Sequence, residues 1–108
     1  MKEITNRQHR KRARAMGCEV ELFSVPELIE HWITRGICPG RCVHCGDPRN
    51  LTMEHWVPLS RGGPHSKDNL YPMCLSCNAA KGDAAPENWI LRLSIAEDWR
   101  NDPGRWDP

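Results

Sequence analysis

The chain has 108 residues, 39% hydrophobic and 27% charged, with a mean hydropathy of −0.67; that length holds one compact domain and leaves none for a second core. No uninterrupted apolar run approaches the roughly 20 residues of a membrane helix, so no membrane role is expected. The net charge of +1 hides an asymmetry: residues 1–14 carry Lys2, Arg7, Arg10, Lys11, Arg12 and Arg14 against Glu3 alone, while the rest of the chain holds nine basic and thirteen acidic side chains.

In chain order, residues 1–17 read as a basic N-terminal arm. No apolar stretch follows it, so it is not a secretory signal, and a reducing, cytoplasmic setting is expected. A concentrated positive field suits a polyanion, because neutralised phosphates release counterions; a solvated tail is the alternative. One domain is expected over 18–100. Within it, residues 24–36 (SVPELIEHWITRG) predict a helix capped by Ser24, with Glu27 completing a capping box and Gly36 offering a left-handed stop. Leu28, Ile29, Trp32 and Ile33 make its packing face, and His31 reads as a partly exposed helix residue. Residues 86–99 predict a further helix opening at Pro86, with Trp89, Leu93 and Ala96 on one stripe. Residues 101–108 should fray.

The intervening stretch, 37–83, has loop composition in the centre of a small domain, so something other than apolar burial must hold it. Cys42 and Cys45 form one C-x-x-C pair, and Cys74 and Cys77 another. Two such pairs complete a tetrahedral four-cysteine site, which points to structural Zn2+. Disulfides are disfavoured in a reducing compartment, and no thioredoxin-like pattern surrounds either pair. Cys38 and His44 are second choices as ligands, and Cys18 reads as a buried or free thiol. Between the pairs, Leu51 to Val57 alternate as a strand that Pro58 ends. Arg61-Gly62-Gly63-Pro64 reads as a turn, a return strand starts at Asn69, and Leu75 to Lys81 predict a short helix ending at Gly82.

The pattern Glu54-His55, Pro58, Gly62-Gly63, Asn69-Leu70, Cys74-x-x-Cys77-Asn78 and Lys81-Gly82 resembles the HNH endonucleases, and with the first pair it covers residues 42–83. The likeness is to their small bacterial and phage members. It implies a small α+β fold: a ββα-metal, treble-clef-like core, stabilised by zinc and flanked by short helices. It also implies a metal-dependent DNA endonuclease that hydrolyses phosphodiester bonds. His55 would be the general base and Asn69 its orienting partner, with Glu54 and Asn78 as ligands of a catalytic divalent cation. A neutral asparagine beside a carboxylate favours a hard ion such as Mg2+ or Mn2+. A neutral imidazole with a pKa of about 6.5 suits proton removal from water at cellular pH.

Arg7, Arg10, Lys11, Arg12 and Arg14 of the arm, together with Arg61 and Lys81, are expected to meet nucleic-acid phosphates. His65 reads as a solvated loop residue. DNA is the expected partner, a phage terminase or another DNA-processing protein a further one, and the chain a monomer or homodimer. The alternative is a zinc-stabilised nucleic-acid-binding module that does not cleave.

Overall fold

Ser24 caps its helix as the sequence predicts. The computed structural model describes residues 2–82, so the helix expected over 86–99 and the tail 101–108 lie outside the described residues. The stretch read as an arm contains a 13-residue helix, α1 (Glu3–Ala15), with Glu3 in its first turn and Arg12 and Arg14 in its last, the arrangement the helix dipole favours. Asn6 and Ala13 are its buried residues. The Glu3 carboxylate accepts the Val25 N–H, which ties α1 to the start of α2 (Val25–Thr34).

In α2 the Ser24 hydroxyl accepts from Glu27 N at 3.2 Å and the Glu27 carboxylate accepts from Ser24 N, so the box closes both ways. Gly36 takes φ 76°, the left-handed stop expected of it. The packing face is narrower than predicted. Leu28 and Trp32 are fully buried and Ile29 partly so, but Ile33 is 52% exposed. The Trp32 indole N–H donates to Leu70 O at 2.8 Å and so anchors the helix on the sheet.

That sheet is one antiparallel pair, β1 (Leu51–His55) and β2 (Leu70–Cys74), in register from Leu51↔Cys74 to His55↔Leu70. β1 stops two residues short of the expected Val57. The Asn69 amide there replaces a strand partner, accepting from Val57 N at 2.9 Å and donating to Val57 O at 3.0 Å. A 3-10 turn (Leu59–Arg61) follows, closed by Gly62 at φ 84°. Gly63 is required by packing, since a Cβ there would stand 1.9 Å from Val57 O. β2 runs directly into α3 (Leu75–Lys81), the bounds the sequence predicts. The core gathers Phe23, Val25, Leu28, Trp32, Ile37 and Val43 against Met53, Leu70 and Met73.

Candidate active site and thiol cluster

The Sγ atoms of Cys42, Cys45, Cys74 and Cys77 all lie within 4.8 Å of one another. Cys45 and Cys74 are 3.7 Å apart, close to the edge of about 3.8 Å that a tetrahedron of thiolates needs with metal–sulfur bonds near 2.3 Å. The donor set therefore fits a tetrahedral ion. Burial pushes the Cys45 and Cys77 thiols up. At Cys42 burial is outweighed by backbone N–H donors from Cys74, Cys45 and His44, and the thiol is held below its ordinary value. Of the second-choice ligands, Cys38 is buried outside the cluster, and His44 touches its edge, with Nδ1 3.5 Å from Cys77 Sγ. Cys18 is a partly buried free thiol whose Sγ donates to Leu59 O at 3.4 Å.

A groove of about 620 Å3 opens between α1, the end of β1 and α3, lined by His9 and Arg12 from the first, Glu54 and His55 from the second, and Asn78 from the third. Adjacent strand residues face opposite ways, and here each direction meets a different element. Thr52 and Glu54 face α3, where the Asn78 amide N–H donates to Thr52 Oγ1 at 2.9 Å and Lys81 Nζ stands 3.4 Å from Glu54 Oε1. Among the described residues no hydrogen bond comes to the Asn78 side-chain oxygen, which can face a cation while the nitrogen is so engaged. Glu54 Oε2 and Asn78 Oδ1 are hard oxygen donors, and such a set fits Mg2+ or Mn2+. Burial raises the Glu54 pKa, opposed by Lys81 and, more weakly, Arg12.

His55 faces the other way, toward α1. Its Nε2 lies 3.0 Å from His65 Nδ1, and the His9 ring meets it edge-on at 5.0 Å. Burial, then the neighbouring His9, His65, Arg12 and Lys81, lower its pKa to about 3. The imidazole is therefore neutral at pH 7, with a lone pair to offer.

Several expected roles fall elsewhere. The Asn69 side chain makes no hydrogen bond to the His55 ring; it binds Val57 N, Val57 O and Pro64 O, pinning the loop beyond the strand. Lys81, expected to hold phosphate, has a fully buried side chain that donates to His55 O at 3.2 Å and lies over the Trp56 ring. It neutralises Glu54 from below the groove. His65, expected in solvent, is 0% exposed, because its ring stacks on Phe23 and its backbone is clamped by Glu19 O and Glu21 N. Of the arm's cations, Arg12 lines the groove; Arg7, Lys11 and Arg14 are exposed along α1, and Arg61 is exposed at the end of its turn. Arg10 is turned inward to Phe23 O at 3.5 Å.

Sequence reasoning missed Asn6, His9 and His65. A signal for the first two lay in the arm itself: Asn6, His9 and Ala13 sit at helical spacing and form its one uncharged stripe.

Residues 42–84 match the family model described as HNH endonuclease. Over these residues the chain matches an HNH endonuclease domain. A CRISPR-associated endonuclease Cas9 of Corynebacterium diphtheriae (strain ATCC 700971 / NCTC 13129 / Biotype gravis) is 34% identical to it over 59 residues, covering 51% of this chain and 5% of that relative. The chain thus corresponds to a small fraction of the relative's length. The ββα unit of the HNH domain is β1, β2 and α3, with the thiol cluster at its base. α1 and α2 lie outside the matched residues, yet α1 supplies one wall of the groove. Among the described residues no helix is long and apolar enough to cross a membrane.

Proposed function

We propose that this protein is a metal-dependent DNA endonuclease in which His55 removes a proton from the attacking water. The observation that carries this reading is the convergence of Glu54, His55 and Asn78 on one groove whose other wall bears Arg12. Phosphodiester hydrolysis needs a base on one side of phosphorus and charge relief on the other. His55 is held neutral for the first task. A scissile phosphate entering the groove brings negative charge that offsets the cations lowering its basicity, so the base strengthens as substrate binds. Glu54 and Asn78 would hold the divalent cation, Mg2+ or Mn2+, which when bound supplies charge stabilisation at the leaving oxygen. Lys81 opposes the effect of burial on Glu54 and holds its carboxylate in place, and Arg12 stands where a flanking phosphate passes.

The exposed row Arg7, Lys11 and Arg14 on α1 suits a DNA backbone. The thiol cluster is assigned to one structural Zn2+ per chain. Single-strand cleavage follows from one site, and double-strand cleavage requires a homodimer. A cytoplasmic, phage-associated setting with DNA-processing partners such as a terminase accords with this reading.

The test is cleavage of supercoiled plasmid in Mg2+ or Mn2+, with EDTA as control. The His55→Ala protein, with normal zinc content, should bind DNA and lose roughly 10²–10⁴-fold in rate. Full activity in that protein refutes the role of His55. A wild-type protein that binds DNA and never cuts it is the zinc-stabilised binding module instead.

A further inference from the structure

Four groups form a buried chain running away from the groove. His55 Nε2 meets His65 Nδ1 at 3.0 Å, His65 Nε2 meets Asn6 Oδ1 at 2.8 Å, and Asn6 Nδ2 donates to Phe23 O at 2.9 Å. Asn6 and His65 are both 0% exposed, so water does not complete these bonds.

The chain has one consistent proton assignment, and it can be worked out from its far end. A carbonyl oxygen only accepts, so the Asn6 amide must turn its NH2 to Phe23 O and its oxygen to His65. His65 Nε2 must then carry a proton. A neutral imidazole carries only one, so His65 Nδ1 is a bare acceptor, and His55 Nε2 must be the donor to it. His55 is left with an unprotonated Nδ1, to which no hydrogen bond comes among the described residues.

We infer that Asn6 and His65 are positioning residues that fix His55 in its Nε2–H tautomer and so present Nδ1 as the proton-accepting atom. The N-terminal helix is thereby part of the nuclease, although it lies outside the matched HNH residues. Without Asn6 the single proton of His65 is free to move to Nδ1, where it would donate to His55 Nε2 and drive the base into the opposite tautomer. The backbone of His65, held between Glu19 and Glu21 by two bonds of 2.8 Å, keeps the ring in line. The catalytic consequence rests on the proposed function; the tautomer assignment does not.

The experiment is 15N–1H correlation NMR of the histidine rings in the zinc-loaded protein at neutral pH, alongside plasmid-cleavage kinetics. In the wild type His55 and His65 should both show the Nε2–H pattern. Asn6→Leu, a change of similar volume, should mix the tautomers of both rings and lower kcat by about tenfold or more with KM little changed. His65→Asn places an amide oxygen near the original Nδ1, so it should keep His55 in the Nε2–H form and retain more activity than His65→Phe. An Nδ1–H pattern at His55 in the wild type overturns the inference without recourse to any variant. So does a folded Asn6→Leu protein with an unmixed spectrum and wild-type kcat. If the wild type does not cleave DNA but Asn6→Leu still mixes the tautomers, the relay stands and the endonuclease reading falls.

Discussion

Asn69 stands where the HNH resemblance places the residue that orients the base, yet its amide satisfies three backbone groups of the loop between the strands: Val57 N, Val57 O and Pro64 O. Asn69→Ala leaves those groups unpaired at a largely buried site, which should cost about 2–4 kcal/mol and lower the melting temperature by roughly 10 °C or more. Thermal melting of the zinc-loaded variant checks this. A variant that melts like the wild type but cleaves poorly would return Asn69 to direct control of the imidazole. Legible from spacing by itself were the four cysteines, whereas Glu54 and His55 were singled out only by the resemblance to the HNH endonucleases. His65 was not legible. Gly62, Gly63 and Pro64 report only a turn in the backbone, whereas the burial of His65 comes from Phe23 and residues 19–21, more than forty positions away. Lys81 was misread for a similar reason: at the end of a short helix a lysine is ordinarily in solvent, and only the folded sheet sets Glu54 against it.

At the scale of elements, α2, β1, β2 and α3 were legible because their signals are local: a capping box, alternation, a proline stop and a glycine end. α1 was not, since six cations in fourteen residues read as a charged arm before they read as a helix. The folded helix separates two roles that the sequence merges. Its inner face carries Asn6, His9 and Ala13 toward the groove and core, and its outer face carries Arg7, Lys11 and Arg14. Changing Arg7, Lys11 and Arg14 together to glutamine should keep the fold and the rate at saturating DNA, weaken binding, and reduce the slope of log affinity against log salt by up to about 3. Deleting residues 1–14 should do more, because it also removes Asn6, His9 and Arg12 from the site and uncovers His65. Equal loss of turnover in the two proteins would show that the helix acts through charge alone. Fluorescence titration of labelled duplex across salt concentrations, paired with single-turnover cleavage, distinguishes these outcomes.

Across the whole molecule, a small apolar core is joined to a thiol cluster on one side and a buried histidine pair on the other, and both polar centres tie stability to pH. His65 is packed against the Phe23 and His55 rings and bonded to Asn6, with His9, Arg10 and Glu21 as its charged or titratable neighbours. Burial, reinforced by His9 and Arg10 and opposed by Glu21, lowers its pKa to about 4, against about 6.5 in an unfolded chain. Between those two values the unfolded chain holds a proton that the folded one refuses, so unfolding gains protons and is favoured as pH falls. The contribution of His65 is complete above about pH 6.5 and is drained on the way to pH 4, by roughly 2–3 kcal/mol in all. His55 acts in the same direction. Protonation of the cysteines would release the metal and add to the loss, so metal content must be followed at each pH. The melting temperature should therefore fall steadily from pH 7 toward pH 5 while metal stays bound, and His65→Phe, which keeps a ring against Phe23 but has nothing to titrate, should flatten that fall. Wild-type stability that rises on acidification, or identical slopes in the two proteins at full metal occupancy, would show that His65 is not held neutral by the fold.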